Sequence, residues 1–472
     1  MTPLPIGFRV VADRRTRRHD GDRLLVGGHP HRVLRLSDRG AATAHRLWSG
    51  TPVAGRTDGV LARRLIDAGL AHPVPPAATP SITVVIPAYD DSAALDRCLV
   101  SLGDELSVRV VDDGSADAAG IRAVANRRGA TLKRLPRNAG PAAARNAGAR
   151  DLTTDVIAFV DSDAMATPQA LRQLATHFAD PSIAAVAPRV RPSPARNDGL
   201  LGRFADGMTP LDLGPDPSIV GSDRLVTYVP STVLLVRRTS FEAIGGFDPS
   251  LRFGEDVDLV WRLHAAGCST RYAPEVRVGH EEPTGWRRWL VRRYHYGTST
   301  AALARRHRSA ALTLRLRPAP LTSLALAVTG RPRLAATAVL VTTARLTARL
   351  RRHDVPVTSG AAASVAAPAV TALGLTRWAL PLWWPAVVSA GLRSKRGRSM
   401  ALTMLVAPPI ATWLARRPSV DPIRWTVASW LDAVAYGAGV WRGCWRERTM
   451  APVLPVLVHD ASASSQRHHT ET

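Results

Sequence analysis

The sequence predicts an α/β fold, with an open, mostly parallel sheet between a small α+β domain and a helical C-terminal region. Short apolar runs that end in polar residues, among them VVIPAY, VVDDGS and FVDSD, alternate with helical stretches. Buried parallel strands and their crossover helices give this pattern. The chain has 472 residues, too many for one ordinary core. After residue 310 the composition changes to segments rich in Ala, Leu and Val that are bounded by Arg.

The charge and the cysteines exclude several classes of protein. The net charge is +24, yet only Lys133 and Lys395 are lysines, so codon usage explains the excess of arginine as well as a polyanionic partner does. No zinc-finger spacing or aromatic RNA-binding signature accompanies the charge, and we expect no nucleic-acid partner. Cys98, Cys268 and Cys444 are far apart and predict neither a disulfide framework nor a zinc site. The first twenty residues lack a signal-peptide core, so we expect the catalytic part in the cytosol.

Residues 1–72 predict a small separate module. RLLVGGHPHRVLRLSD is typical of two short strands around a Gly-Gly turn, and DRGAATAHRLWSG and GVLARRLIDAGLAHP of two helices. This pattern suits a winged-helix-like module and is similar to the PqqD-like peptide-recognition domains, which bind an extended peptide at a sheet edge. A small scaffold or dimerisation domain fits the pattern equally. Residues 73–81 are rich in Pro and predict a linker.

Residues 82–310 contain the predicted sheet domain. ITVVIPAY, SVRVVDDGS, DVIAFVDSD and SIAAVAPRV are four apolar runs of strand length, with helical stretches such as DSAALDRCLVSL and TPQALRQLATHF between them. In an open α/β sheet, ligands bind at the carboxyl ends of the strands. We therefore expect the functional residues where these runs end.

Residues 311–455 predict helices on or in a membrane. From 355 to 392 the only formal charge is Arg377, and residues 355–376 are long enough to cross a hydrocarbon core of ~30 Å, although they are weakly hydrophobic. Amphipathic or re-entrant helices on the membrane surface are an alternative, as is a soluble helical domain. We expect the chain at the cytoplasmic face of the cell membrane. Residues 456–472 predict a disordered tail.

Four polar features follow strand ends in a fixed order: VVIPAYDD, VVDDGSAD, RNAGPAAARNAGA and VDSD. Each is ordinary alone, because an Asp before Gly-Ser and an isolated Asp-x-Asp are usually turns. The third opens a helix whose N-terminus suits a phosphate oxygen. The four together predict a ligand site at one edge of the sheet. Their candidate residues are Pro87, Tyr89, Asp112, Asp113, Arg145, Asp161, Ser162 and Asp163.

Two further segments add candidate residues downstream. IGGFDPSLRFGEDVDLVWRL places Glu255 and Asp256 at the start of an amphipathic helix. The macrodipole favours carboxylates there, but the same position directs one carboxylate into a cleft, as a general base requires. RYAPEVRVGHEE predicts a strand that ends in His280. Opposite a strand-terminal Asp pair, an imidazole and a carboxylate suit a divalent cation such as Mn²⁺.

These segments resemble the signature series of the inverting family 2 glycosyltransferases with the GT-A nucleotide-diphospho-sugar transferase fold. VVIPAYDD, VVDDGS, GPAAARNAGA, VDSD and GGFDPSLRFGEDVDLVWRL carry the resemblance, over about residues 82–290. The whole layout, with LDAVAYGAGVWRG near the end, is similar to the mycofactocin-system glycosyltransferases of actinobacteria. Those enzymes are held to build a β-1,4-linked glucose chain on a peptide-derived redox cofactor precursor. The resemblance implies UDP-glucose or a related nucleotide sugar as donor and a peptide-derived acceptor.

The resemblance also implies which residues hold the donor. Tyr89 would stack on the uracil ring, and Asp113 would accept a hydrogen bond from the ring N–H. Arg145 would approach the nucleotide or its diphosphate, and Asp161 would face the ribose or the sugar. Pro87, Asp112 and Ser162 belong to the same motifs and would lie beside them.

The remaining implied roles concern the metal and the acceptor. Asp163 would bind a divalent metal, Mn²⁺ or Mg²⁺, with His280 as a second ligand, and the metal would offset the charge on the leaving diphosphate. Asp256 would deprotonate the acceptor hydroxyl, with Glu255 beside it. A base in line with the leaving group gives a single displacement with inversion.

Two departures from the family pattern leave alternatives open. Processive polysaccharide synthases of the family carry Gln-x-x-Arg-Trp, whereas EEPTGWRRW offers Arg288 and Trp289 without that Gln. This difference favours a short product chain. His280 is followed by Glu281 and Glu282, so the second metal ligand is open among the three. A membrane-associated transferase that acts on a polyprenyl phosphate or a cell-envelope saccharide is the alternative enzyme, and a non-catalytic peptide-binding scaffold is the alternative from another class.

Overall fold

The computed structural model describes residues 2–193, 199–307, 314–351 and 357–458. The chain divides into two compact units, Met1–Trp286 and Arg287–Thr472. The first unit contains the predicted N-terminal module and the sheet. The second unit consists mainly of helices.

The N-terminal part of the first unit has the two strands and two helices that its sequence predicts, together with three further strands, of which the last runs into the predicted linker. Its elements are β1 (Arg9–Ala12), β2 (Arg17–His19), β3 (Leu24–Gly27), β4 (Arg32–Arg35), α1 (Asp38–Trp48), α2 (Arg56–Asp67) and β5 (Ala71–Val74). β2, β3 and β4 form an antiparallel sheet, and β1 pairs with β5. Ser37 caps α1 by accepting a hydrogen bond from the Gly40 N–H. Phe8, Leu25, Leu47 and Leu65 are buried in the core between these elements.

The central domain alternates strands with helices. Its elements are β6 (Ile82–Ala88), α3 (Ser92–Leu102), β7 (Ser107–Asp112), α4 (Ala118–Arg127), β8 (Thr131–Arg134), α5 (Pro141–Ala149), β9 (Val156–Val160), β10 (Ala164–Met165), α6 (Pro168–Ala175), β11 (Ile183–Pro192), α7 (Leu200–Met208), β12 (Ser218–Ile219), β13 (Val233–Arg237), α8 (Arg238–Ala243), α9 (Glu255–Ala265) and β14 (Ser269–His280). The strands form one sheet in the order β10-β14-β11-β13-β9-β6-β7-β8, with β12 beside β14.

Most strands of this sheet run in one direction. β8, β7, β6 and β9 are parallel neighbours, and β11 is parallel to β14. β13 lies antiparallel between β9 and β11, so SIAAVAPRV points the same way as the other three apolar runs without being adjacent to any of them. Val84, Val110, Ala158 and Val186 are fully buried, as strands covered on both faces require. The mostly parallel sheet of the prediction is confirmed.

In its described part, the second unit has six α-helices and two short strands. Its elements are α10 (Trp286–Arg306, entered from the last residue of the first unit), β15 (Arg315–Leu316), α11 (Pro318–Val328), α12 (Pro332–Arg351), α13 (Val357–Leu392), α14 (Lys395–Arg416), α15 (Pro422–Glu447) and β16 (Val456–Leu457). β15 and β16 pair in parallel. Within the predicted disordered tail 456–472, only β16 and residue 458 are described, and 459–472 lie outside the described residues.

Glycines allow α10 and α15 to pack backbone against backbone. A Cβ on Gly439 would lie 1.9 Å from the carbonyl oxygen of Tyr294, and one on Gly297 would lie 2.2 Å from the carbonyl oxygen of Tyr436. Asp432 joins the same two helices, because it accepts a hydrogen bond from Nε1 of the buried Trp289 over 2.9 Å. The LDAVAYGAGVWRG segment is therefore a helix-packing motif, and Trp289 of the Arg-Trp pair belongs to that contact.

Among the described residues, one helix is long and apolar enough to cross a membrane. It is Val365–Leu392, with 28 residues, a mean hydropathy of 1.2 and 17% of its most apolar stretch buried. The span predicted from sequence, 355–376, overlaps its first half, and residues 355–356 lie outside the described residues. Length and composition alone are weak support, and attachment to a membrane stays a prediction.

Candidate active site

The predicted site residues lie at the edge where the parallel strands end. Tyr89 and Asp113 follow β6 and β7, and Asp161 follows β9. β13 runs in the opposite direction and begins at this edge, where the Asp161 N–H donates to the Thr232 carbonyl oxygen over 2.9 Å. β14 ends at the same edge with His280. The topology thus gathers residues that are separated by almost 200 positions of sequence.

A buried arginine joins two acids at the centre of this edge. Arg145, on α5, is 3% exposed. Its Nη2 donates to Oδ1 of Asp161 over 2.5 Å, and its Nη1 donates to Oε1 of Glu255 over 2.8 Å. Its guanidinium also lies 5.3 Å from the ring centroid of Phe247, a cation–π distance. This geometry favours a role in positioning the two acids over direct contact with a nucleotide.

The electrostatics of this cluster favour an extra proton. Three acids, Asp161, Glu255 and Asp256, lie near the guanidinium of Arg145. Burial, helped by the nearby Asp256 charge, raises the pKa of Glu255 to about 7, although Arg145 opposes the shift. Burial also raises the pKa of Asp161 and of Asp256. Because burial disfavours the charged form of each carboxylate, the cluster holds a proton more readily than ordinary acids do.

Asp256 is the more accessible of the two helix acids. α9 begins after Gly254, whose φ of 80° is left-handed and suits a residue without a side chain. Asp256 is half-buried, whereas Glu255 is 7% exposed and bonded to Arg145. Oδ2 of Asp256 accepts a hydrogen bond from the Ser231 N–H over 3.2 Å, and Oδ1 accepts one from the Val257 N–H over 2.8 Å. Asp256 is thereby oriented by backbone donors and keeps a raised pKa, as a base needs.

Asp163 and His280 face each other across two strands. The register pairs Ala164 of β10 with His280 of β14, which places the preceding Asp163 beside the imidazole. Nε2 of His280 lies 3.4 Å from Oδ2 of Asp163. The Asp163 side chain is 43% exposed, and the His280 side chain 5%. The partly exposed carboxylate of Asp163 and the buried imidazole of His280 thus lie next to each other at the strand ends.

The two glutamates after His280 have other partners. Glu281 accepts two hydrogen bonds from Arg97 of α3, one of them from Nη2 over 2.7 Å. Glu282 is 7% exposed and accepts a hydrogen bond from the Thr209 hydroxyl over 2.6 Å. Both acids are thus engaged by protein groups, and the geometry favours His280 as the partner of Asp163.

The imidazole of His280 carries a proton in this arrangement. Burial lowers its pKa, but the charges of Asp163 and Glu282 outweigh burial and raise the pKa to about 10. Its Nδ1 is buried without a hydrogen-bond partner among the described residues and lies 3.7 Å from Oε1 of Glu282. A divalent cation at this place would compete with that proton.

The residues predicted to bind the nucleotide-sugar donor differ in how exposed their side chains are. Tyr89 is 51% exposed and free to stack on a planar ring. Asp113 accepts hydrogen bonds from the N–H groups of Ala139 and Gly140, over 2.8 and 2.9 Å, and so joins the end of β7 to the start of α5. Asp112 is 1% exposed and bonded to Arg134 and to the Ser115 N–H, which favours a structural role.

Pro87 and Ser162 are both half-buried. The pairing of β6 with β9 ends at Val85, whereas its pairing with β7 continues through Pro87 to Ala88. On the β9 side the pairing thus ends before Pro87, because proline lacks the N–H that a second ladder would need. Ser162 lies between Asp161 and Asp163 in the turn before β10.

Sequence reasoning missed several residues of this site. Ser231 donates to the candidate base from the segment before β13, a strand that carries no chemical signature. Arg97 holds Glu281 across 184 positions of sequence. The side chain of Asn146 donates to the Phe247 carbonyl oxygen over 2.7 Å and accepts from the Phe247 N–H over 2.9 Å. These bonds join the RNAGA and GGF segments. In the sequence, only the GGF motif pointed to Phe247.

An open, mostly parallel sheet with an Asp-x-Asp turn and a helix-borne acid at its strand ends defines a glycosyltransferase of the GT-A fold. Residues 83–244 match the family model described as glycosyl transferase family 2. A Pre-mycofactocin glycosyltransferase from Mycobacterium tuberculosis is 37% identical over 483 residues, which cover 97% of this chain and 99% of that relative. The chain belongs to the pre-mycofactocin glycosyltransferases of family 2.

Other similarities are lower. An N-acetylglucosaminyltransferase from Sinorhizobium fredii is 28% identical over 57% of this chain and 68% of that relative. A solved mannosyltransferase from Pyrobaculum calidifontis, in complex with GDP-Man and Mn²⁺, has 18% sequence identity and a TM-score of 0.45 over 79% of this chain and 90% of that chain.

Proposed function

We propose that this glycosyltransferase moves glucose from UDP-glucose to a pre-mycofactocin acceptor, with inversion at the anomeric carbon and with a divalent metal. The observation that carries the proposal is a pair of sites with acidic residues at the edge of the sheet where the parallel strands end. Asp163 with His280 forms one place, and Asp256, oriented by the Ser231 N–H, forms the other. The first suits a metal-bound diphosphate, and the second suits an acceptor hydroxyl. The acceptor is inferred from the name of the 37% identical relative.

The chain's own residues account for the displacement. Asp256 takes the proton of the acceptor hydroxyl, whose oxygen forms a bond to C1 of the sugar. The bond from C1 to the phosphate oxygen breaks, and its electron pair leaves with UDP. Arg145 holds Asp161 and Glu255 in place while this happens. Because the attack is a single displacement, the α-linked donor gives a β-linked product, and we propose a short β-1,4-linked chain.

The donor set at Asp163 and His280 fits Mn²⁺ or Mg²⁺. Within the described part of the chain, no three His, Cys, Asp or Glu side chains form a complete metal site. Two protein ligands are sufficient for ions that take their remaining ligands from phosphate oxygens and water. When bound, the metal supplies positive charge that stabilises the leaving diphosphate. Tyr89 and Asp113 would bind the base of the same nucleotide.

The test is UDP release from UDP-glucose with and without Mn²⁺, in the presence of pre-mycofactocin. We expect metal-dependent release and a β-linked product by NMR, with kcat lowered by about 10²–10⁴ in Asp256→Asn. Asp223→Asn changes an exposed acid away from the site and should leave kcat unchanged. Absence of metal-dependent release, or full activity of Asp256→Asn, would contradict the proposal. UDP-galactose and UDP-N-acetylglucosamine, used in parallel, test the choice of sugar.

We also propose that the second unit attaches the enzyme to the cytoplasmic face of the membrane. The 28-residue apolar helix Val365–Leu392 supports this. Membranes that contain the full chain are washed with alkaline carbonate. Retention in the pellet indicates a spanning helix, and release indicates surface binding. Recovery in the soluble fraction before the wash would exclude membrane attachment.

A further inference from the structure

A polar pocket in the first unit lies between the N-terminal strands and the central sheet. Its polar lining residues are Asp13, Arg15, His29 and His72 from the N-terminal part, and Ser218, Arg224 and Arg271 from the central domain. Arg271 lies near the start of β14, and His280 ends the same strand nine positions later. Because β14 bulges between Ala273 and Arg277, the two residues pair with Val186 and Pro192 of β11, only six positions apart. At about 3.3 Å per residue they are roughly 20 Å apart. The pocket is therefore separate from the glycosyl-transfer site.

Arg271 is a buried cation with little compensation. It is 2% exposed, and its Nε has no hydrogen-bond partner among the described residues. Burial lowers the pKa of its guanidinium to about 10, although the charges of Glu275 and Asp180 oppose the shift. A buried guanidinium without paired charge and full hydrogen bonding is costly. An anion in the pocket would supply both.

The other charged groups of the pocket have partners within the protein. Nε2 of His72 lies 2.8 Å from Oδ2 of Asp13, while Nδ1 of His72 is buried without a partner among the described residues. Arg15 pairs with Asp216, and Nη1 of Arg224 donates to the Asp67 carbonyl oxygen over 2.7 Å. The cations Arg15 and Arg224 thus have partners that Arg271 lacks, and Asp13 already accepts from His72 and from the Arg15 N–H.

We infer that this pocket binds a small oxyanion, a carboxylate or a phosphate group, with Arg271 as the principal donor. A guanidinium matches either group with parallel N–H···O bonds. Arg15 and Arg224 add positive charge at the same place. Because the N-terminal part and the sheet both contribute lining residues, the anion bridges them. The pocket is a binding site in addition to the donor and acceptor places, and it does not depend on the proposed reaction.

The test measures the thermal unfolding midpoint of the full chain against sodium acetate and sodium phosphate, with the ionic strength held constant by sodium chloride. A ligand that binds only the folded state raises the midpoint in a saturable way. We expect such a rise with at least one probe, and a dissociation constant at least tenfold higher in Arg271→Gln. Arg172→Gln removes an equal charge from an exposed ion pair with Glu105 and should bind as the wild type does. The more effective probe identifies the carboxylate or the phosphate.

A second variant keeps the test decisive if Arg271→Gln does not fold. The Arg15 side chain is 44% exposed, so Arg15→Gln should fold and should weaken binding by about threefold or more. Phosphate that binds at the strand-end site is unaffected by either change, since that site is roughly 20 Å away. Equal midpoint shifts in the wild type and the variants, or no saturable shift, overturn the inference. Neither result affects the glycosyltransferase activity proposed above.

Discussion

The guanidinium of Arg145 joins α5 to the first turn of α9, because its Nη1 donates to Oε1 of Glu255 over 2.8 Å inside the protein. The Glu255 side chain is 9% exposed, and the Arg145 side chain 4%. This pair sets the position of Asp256, the next residue of the helix. A mutation at Glu255 therefore tests how far the active site contributes to the stability of the fold.

Glu255→Ala should lower the free energy of unfolding by about 3 kcal/mol, because it leaves a buried guanidinium with Asp161 as its remaining acid. The measurement is urea unfolding of the wild type and the variant. Glu242→Ala is the matched control, since Glu242 is 53% exposed and pairs with Arg238 four positions away. Its cost should be about 0.5 kcal/mol or less. Similar costs for the two variants would show that the Arg145 pair adds nothing beyond a surface ion pair.

The pH dependence of stability should show the excess of acid around Arg145. Burial raises the pKa of Glu255 to about 7 from its ordinary 4.5, so the folded state holds a proton that the unfolded chain has already released. The contribution is fully present below about pH 4.5 and is lost as the pH rises through about 7.

Unfolding free energies at about pH 5 and about pH 8 test this expectation. The metal-free wild type should lose more stability over this interval than Glu255→Gln, in which position 255 does not titrate. Glu242→Gln serves as a control that keeps the wild-type slope. A slope unchanged in Glu255→Gln would place the proton on another group.

Arg97→Ala should weaken the binding of Mn²⁺ without touching a metal ligand. Arg97 holds Glu281 through two hydrogen bonds, and the Glu281 N–H donates to the carbonyl oxygen of the proposed ligand Asp163 over 2.9 Å. Arg97 therefore helps to position that ligand. Loss of a group that orients a ligand typically costs 10- to 100-fold in metal affinity. Titration calorimetry with Mn²⁺ measures the effect, with Arg128→Ala, from the exposed pair with Asp96, as control. Unchanged affinity for Mn²⁺ in Arg97→Ala would show that Glu281 does not help to form the metal site.

The sequence was sufficient to predict the strand ends because each buried strand is a local apolar run. Asp161, Asp163 and His280 follow such runs, and the general rule for parallel sheets placed them at one edge. The helix start at Glu255 was equally local, since Gly254 and the acids after it mark a helix N-terminus.

The pairings that complete the site could not be predicted, because they depend on tertiary contacts. Insertion of β13 between β9 and β11 brings Ser231 to Asp256, and nothing in VLLVR indicates its neighbours. Neither could local patterns show that Arg134 would bind Asp112. In both cases a partner that is distant in sequence determines whether the carboxylate remains available to a ligand.

The contact between α10 and α15 gives a last prediction, for the second unit. A Cβ at Gly439 would lie 1.9 Å from the Tyr294 carbonyl oxygen, and neither backbone can move aside without separating the helices. Gly439→Val should therefore destabilise the unit by about 3 kcal/mol, at the upper end of the range for overpacking. Gly374→Ala is the control, because its nearest contact, Leu314, is at an ordinary 3.7 Å. In the middle of α13 this change should stabilise by up to about 1 kcal/mol. Thermal unfolding of both variants separates steric overlap from helix propensity, since a stable Gly439→Val would mean that the helices do not pack this closely.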